Sequence, residues 1–159
     1  MIGRARPDAL LDSNVLVATL VENHLHHAPS LAVLERTDIF GFCVAAHSYA
    51  EAFTTLTRRS GPAPLGRRPD EAWAALEAFA ADTRLVGLTP AQTFAAIRAY
   101  AAQGGLGPRV YDHLIGAAAR AADAPAIITW NVRHLRSLFP ELAVETPNDF
   151  LARTARASG

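Results

Sequence analysis

Short apolar runs alternate along the chain with longer segments in which apolar residues return every three or four positions, the pattern of strands separated by helices. The first run, residues 9–12, ends on Asp12 and predicts a strand, with a helix following over 15–23. Pro29 opens a second helix reaching Glu35, and residues 39–44, rich in aromatic and β-branched side chains, predict a second strand. Ser48 starts a helix through Arg59. The stretch Gly61-Pro62-Ala63-Pro64-Leu65-Gly66 is a loop by composition. Pro69 and Asp70 then begin a helix whose Trp73, Leu76, Phe79 and Ala80 share a face and read as core.

Residues 85–88 predict a third strand, and Pro90 starts a helix through Gln103. Gly104-Gly105-Leu106-Gly107-Pro108 leads into a helix carrying Asp112, with strands at 126–129 and 142–145 and a closing helix over 147–156. The alternation predicts an α/β fold on a mostly parallel sheet of four to five strands flanked by helices. With no repeat and no linker, residues 1–159 are expected to form a single domain.

Composition narrows the chemistry. Half of the chain is hydrophobic, which excludes a disordered protein. Fifteen basic and 15 acidic residues balance, so no overall field draws in nucleic acid, and only a local basic rim would do so. Every basic residue among the 15 is arginine. Without lysine the chain supplies neither a P-loop lysine nor a Schiff-base amine. A single cysteine, Cys43, suits a reducing compartment. Arg4 and Arg6 precede an apolar stretch as in a signal peptide, but Asp12 and Asn14 interrupt it. No run approaches the length that spans a membrane, and a cytoplasmic protein is expected.

Three acids stand beside apolar runs: Asp12 in Leu10-Leu11-Asp12-Ser13-Asn14, Glu51 in Tyr49-Ala50-Glu51-Ala52-Phe53, and Asp112 in Tyr111-Asp112-His113-Leu114-Ile115. An acid there is costly unless solvated, hydrogen-bonded or bound to a cation. In open parallel sheets ligands bind beyond the carboxyl ends of the strands, where Asp12 and Thr129 would lie. Gathered at one edge, the acids would repel each other unless a cation neutralised them, and Mg2+ or Mn2+ suits such oxygen ligands. Each also has a structural reading. Asp12 and Asp112 could be helix N-caps, and Ser48-x-x-Glu51 has the capping-box spacing.

The remaining polar candidates divide in the same way. His24, His26 and His27 resemble a run of metal ligands but lack a partnering cysteine or acid pattern for zinc. His113 could orient Asp112 or face solvent, and His47 reads as structural. Thr129 and Asn131 can offer oxygen atoms or hydrogen bonds at the sheet edge, and Arg133 and Arg136 could meet a phosphate bidentately. Arg58-Arg59 and Arg67-Arg68 flank the Gly/Pro loop as RNA-backbone contacts or as solvated charge.

At these residues the chain resembles PIN-domain ribonucleases, most closely the VapC-like toxins of bacterial toxin–antitoxin pairs. The resemblance rests on Leu11-Asp12-Ser13-Asn14-Val15-Leu16, Ala50-Glu51-Ala52-Phe53, Tyr111-Asp112-His113-Leu114-Ile115-Gly116-Ala117-Ala118-Ala119 and Ile128-Thr129-Trp130-Asn131-Val132-Arg133-His134, in that order over nearly the whole chain. It implies a PIN-like fold and hydrolysis of RNA phosphodiesters, with Asp12 and Asp112 holding Mg2+ directly. Glu51 would complete the acidic cluster and help position the attacking water. Asn131 falls where many members place a fourth acid and would count among the catalytic positions, its neutrality weakening a second metal site. Asn14 and Thr129 would orient the carboxylates. The resemblance also implies a cognate antitoxin and a homodimer.

Two rivals remain. A haloacid-dehalogenase-like phosphatase needs a second Asp where Asn14 stands, and a later lysine, which the chain lacks. A catalytically silent PIN-like domain that binds a protein or RNA is favoured by Asn131 alone, and an active site would gain thermal stability from millimolar Mg2+ or Mn2+.

Overall fold

The computed structural model describes residues 5–157; Arg4 of the N-terminal stretch lies outside them. Five short strands form one sheet: β1 (Ala9–Leu11), β2 (Phe42–Ala45), β3 (Arg84–Val86), β4 (Ala126–Ile128) and β5 (Ala143–Glu145). Their order is β3-β2-β1-β4-β5, and every pairing is parallel. Leu11 lies beside Val44 on one side and Ile128 on the other, so β1 is central. From β1 the chain crosses first to β2 and later returns to β4 on the opposite side. The point where the order reverses is where a crevice opens at the strands' carboxyl ends.

Parallel sheets are stable when both faces are covered, and the side-chain alternation here serves both. Ala9, Leu11, Phe42, Val44, Ala126 and Ile128 point into one core, together with Val15 and Leu16 of α1 (Ser13–Leu20), Val33 of α2 (His27–Leu34) and Leu56 of α3 (Ala46–Thr57). Leu76 and Phe79 of α4 (Pro69–Ala81) and Phe150 of α8 (Pro147–Ala157) complete it. Leu10, Cys43, Ala45, Ile127 and Val144 point the other way. They pack on Ile115, Ala118 and Ala119 of α6 (Val110–Ala121) and on Leu135 of α7 (Val132–Leu138). Helix α5 (Pro90–Ala102) lies against α6. Burial pushes the Cys43 thiol up to about 11, so it is an inert core residue.

The five strands and the helices between them follow the predicted order, with differences that have local causes. Ile39 does not belong to β2: residues 36–40 form a turn in which the Ile39 and Phe40 N–H groups donate to the Arg36 carbonyl, and Ile39 is exposed. Helix α3 begins two residues before Ser48, so Ser48 is buried within its first turn and the capping box with Glu51 does not form. Trp73 is 57% exposed rather than core, because α4 buries Ala72, Leu76 and Phe79. Their i, i+4, i+7 spacing defines a face about 100° away from Trp73. His113 is not solvent-facing. It is buried between the rings of Tyr100 and Phe139. Among the described residues no helix is long and apolar enough to cross a membrane.

Candidate active site

Strand β1 stops where Asp12 turns the chain into α1, and that turn fixes the carboxylate. Asp12 Oδ1 accepts the Ser13 N–H at 2.7 Å, so the N-cap reading is correct. Its other oxygen faces β4. The Thr129 hydroxyl donates to Asp12 Oδ2 at 2.8 Å, and Asn14 Nδ2 lies 3.4 Å from the same oxygen. Asn14 Nδ2 also donates to Thr129 Oγ1 at 3.1 Å, and Asn14 Oδ1 accepts the Trp130 N–H at 3.0 Å. Asn14, in the first turn of α1, and Thr129, directly after β4, therefore clamp Asp12. Only 6% of Asp12 remains exposed, and burial raises its pKa against the opposing pull of the Thr129 and Ser13 bonds.

The other two acids arrive on helices. Glu51 sits in the second turn of α3, which starts directly after β2, and Asp112 in the first turn of α6, whose N-terminal end meets the same sheet edge. The charge of Asp112 raises Asp12, and those of Asp12 and Asp112 both raise Glu51. The three carboxylates are thus close enough to repel one another. Burial first, and that repulsion second, push Glu51 up to about 7. Glu51 Oε1 is buried without a hydrogen-bond partner, and so is His47 Nε2, 3.8 Å away. Asp112 is raised by burial, while His134 and Arg109 pull it down; His134 Nδ1 lies 3.9 Å from Asp112 Oδ2.

Among the described residues no three His, Cys, Asp or Glu side chains are drawn up as a closed ligand set. The acids nevertheless fit a hard divalent cation. They crowd together at one edge so that their charges raise one another, one of their oxygens is buried and unpaired, and Mg2+ needs only one or two carboxylates because it keeps several waters. Asp12, Asp112 and Glu51 are the residues that would hold it.

The PIN domain family matches residues 9–138, a span that includes all three acids. The chain belongs to the PIN-domain family. It is 35% identical over 112 residues to Ribonuclease VapC41 of Mycobacterium tuberculosis, covering 64% of this chain and 74% of that one. Among solved structures it resembles VapC20 of the same organism, a sarcin–ricin loop cleaving toxin, with a TM-score of 0.65 and 17% identity over 85% of this chain and 98% of that one. PAE2754 of Pyrobaculum aerophilum gives 0.63 and 18% over 97% and 99%. At those identities the structural likenesses show the fold.

In this PIN domain the remaining sequence candidates separate clearly. Asn131 is exposed at the start of α7, and it is its main-chain N–H that joins the cluster, donating to Thr129 Oγ1 at 3.0 Å. Arg133 is exposed near this edge, whereas Arg136 donates to the Val144 carbonyl at 3.1 Å and lies 4.0 Å from Asp149. The histidine run is structural. His26 stacks on Trp130 with centroids 3.8 Å apart, His24 Nδ1 accepts the His26 N–H, and His27 Nδ1 lies 3.0 Å from the Ala18 carbonyl. Trp130 Nε1 donates to Ser30 Oγ at 2.9 Å, so the run pins the α1–α2 loop beside the site. Of the paired arginines, Arg58 binds the Pro62 carbonyl, Arg67 the Leu20 carbonyl and Arg68 Asp70, which makes them braces of the loop.

Three residues outside the sequence-derived set face the acids: His47, His134 and Arg109. His47 was legible as the i, i+4 neighbour of Glu51. Arg109, three residues before Asp112, carried a weaker signal of the same kind. His134 comes from α7 and meets Asp112 only through the tertiary fold.

Proposed function

We propose that this PIN domain is a metal-dependent ribonuclease, the toxin of a bacterial toxin–antitoxin pair, acting in the cytoplasm. The observation that carries the reading is the clamped, buried carboxylate of Asp12 with Glu51 and Asp112 raised beside it. The substrate class is taken from its relatives: VapC41 is named a ribonuclease and VapC20 a sarcin–ricin loop cleaving toxin. Bound Mg2+ or Mn2+ would supply charge neutralisation at the scissile phosphate and activation of water at neutral pH.

The chain's own residues do the rest. Asp12 and Asp112 would hold the cation, and Thr129 and Asn14 keep Asp12 in one rotamer so that no reorientation is needed during reaction. Glu51, raised to about 7 in the metal-free cluster, would give up its proton as the cation binds and, as a carboxylate beside it, would help position the attacking water. Asn131, exposed at the start of α7, would stand at the mouth of the site, and Arg133, exposed in the first turn of α7, would meet a backbone phosphate. The proposed partners are RNA, a protein antitoxin covering the crevice, and a second copy of the chain.

Purified wild-type protein should cut RNA in Mg2+ or Mn2+ and not in chelator, and its induction should arrest growth, while Asp112→Asn should do neither at equal soluble expression. Cleavage by Asp112→Asn at the wild-type rate would refute the assignment. The second reading, a silent domain that binds RNA or protein, is favoured by the neutral Asn131. It requires that neither protein cleaves and that neither gains thermal stability from the metal.

A further inference from the structure

A cavity of about 420 Å³ opens beside Asp112, lined by Tyr100, Leu106, Arg109, His134, Ser137 and Leu138 together with the glycines of the α5–α6 loop. We infer that it receives one unstacked nucleobase of the RNA strand, the base next to the phosphodiester held at the acids. The inference takes its ligand class from the ribonuclease reading and adds to it the place where the substrate's sequence is felt.

The lining mixes two kinds of group. Arg109 and His134 adjoin the acid cluster: His134 Nδ1 is 3.9 Å from Asp112 Oδ2, and the Arg109 charge acts on the same carboxylate. A nucleotide whose phosphate reaches Asp112 would therefore meet Arg109 and His134 on its backbone. Leu106 and Leu138 are its apolar members. Leu106 is 81% exposed, an unusual position for a leucine in a loop that is otherwise tied down. Its carbonyl accepts the Tyr100 hydroxyl at 3.0 Å, and a Cβ at Gly105 would collide with the Tyr100 ring. Glycine at 105 lets the loop press on that ring, which holds the Leu106 side chain out over the cavity.

Two of the polar groups at the pocket are already paired. The Ser137 hydroxyl donates to the His134 carbonyl at 2.7 Å, and the Leu106 carbonyl is taken by Tyr100. The guanidinium of Arg109 is left to supply donors for a phosphate oxygen. A flat, weakly polar group tethered to a phosphate suits such a pocket, and a base splayed out of a single-stranded loop is that group. The size lies within the range of ordinary ligand pockets.

The test is an NMR titration of the full-length 15N-labelled protein, in chelator, with uncleavable 2′-O-methyl dinucleotides, and with ribose 5-phosphate and acetyl-leucine amide as controls. Saturable shifts of the Gly104, Leu106, Gly107 and Ser137 amides are expected with the dinucleotides alone. Leu106→Ser and Arg109→Gln should each weaken them about five-fold or more, the low end of what one base contact contributes. Equal shifts with ribose 5-phosphate would reduce the pocket to a phosphate site, and equal shifts with the leucine probe would make it a protein-docking site. Either result, or unchanged affinity in both variants, overturns the inference. Cleavage of RNA in Mn2+ is assayed in parallel. Cleavage without pocket shifts overturns the pocket and leaves the ribonuclease reading intact; pocket shifts without cleavage do the reverse.

Discussion

Replacing Thr129 by valine leaves the shape of β4's end unchanged and removes the one hydroxyl that donates to Asp12, together with the bonds it accepts from Asn14 Nδ2 and the Asn131 N–H. The bond to Asp12 is 2.8 Å long, joins a fully buried hydroxyl to a carboxylate that is 6% exposed, and is charge-assisted when Asp12 is ionised. A buried hydrogen bond to a charged group is worth about 1.5–3 kcal/mol, and the Asn14 contact at 3.4 Å is too long to replace it. Near neutral pH we therefore expect a loss of about 2 kcal/mol, or about 4–8 °C in Tm for a chain of this length.

The sign of the pH dependence follows from Asp12. Its folded pKa is raised, so the stability it contributes is present below the ordinary carboxylate range and is lost as pH rises through the folded value. Thr129 lowers that pKa, and its removal should deepen the loss at neutral pH while mattering less in acid, where Asp12 is protonated. Affinity for Mg2+ or Mn2+ should fall about 10- to 100-fold, as for other partners that orient a metal ligand. Denaturation midpoints at pH 5 and 7.5, with and without the metal, read both effects. If Thr129→Val keeps wild-type stability at both values and an unchanged metal-induced shift, Thr129 does not position Asp12.

Other expectations concern the same elements. Glu51, raised to about 7, should make the metal-free protein lose stability as pH rises from the ordinary carboxylate range through 7, and Glu51→Gln should flatten that slope in a denaturant series. Metal binding near pH 6.5 should release a proton, measurable by calorimetry in buffers of different ionisation enthalpy, and Glu51→Gln should abolish the release. Gly116→Ala would drive a methyl into the ring of the buried Phe139 and should cost about 1–3 kcal/mol, visible as a lower midpoint with the denaturant slope unchanged. Trp130→Phe removes the donor to Ser30 and part of the His26 stack; it should cost about 1 kcal/mol and speed hydrogen exchange in residues 24–27.

What the sequence determined by itself was local: the order of strands and helices, the end of β1 at Asp12, the cap that Asp12 makes, and the elements carrying Glu51 and Asp112. These follow from periodicity and from residues that act on their own backbone, so near neighbours suffice to specify them. The faces of helices were less legible. Trp73 and Leu76 satisfy an apolar stripe as well as Ala72, Leu76 and Phe79 do, and only the packing of α4 against α3 and β3 selects the second stripe. The same holds for His113, whose burial depends on α5 and Phe139 arriving from distant parts of the chain. Tertiary structure alone decided the chemistry of the edge. The Thr129–Asp12 bond spans 117 positions in sequence, and the repulsion that raises Glu51 exists only once β1, α3 and α6 share one end of the sheet. Charge interactions fall off with distance in space, and a linear sequence does not contain that distance.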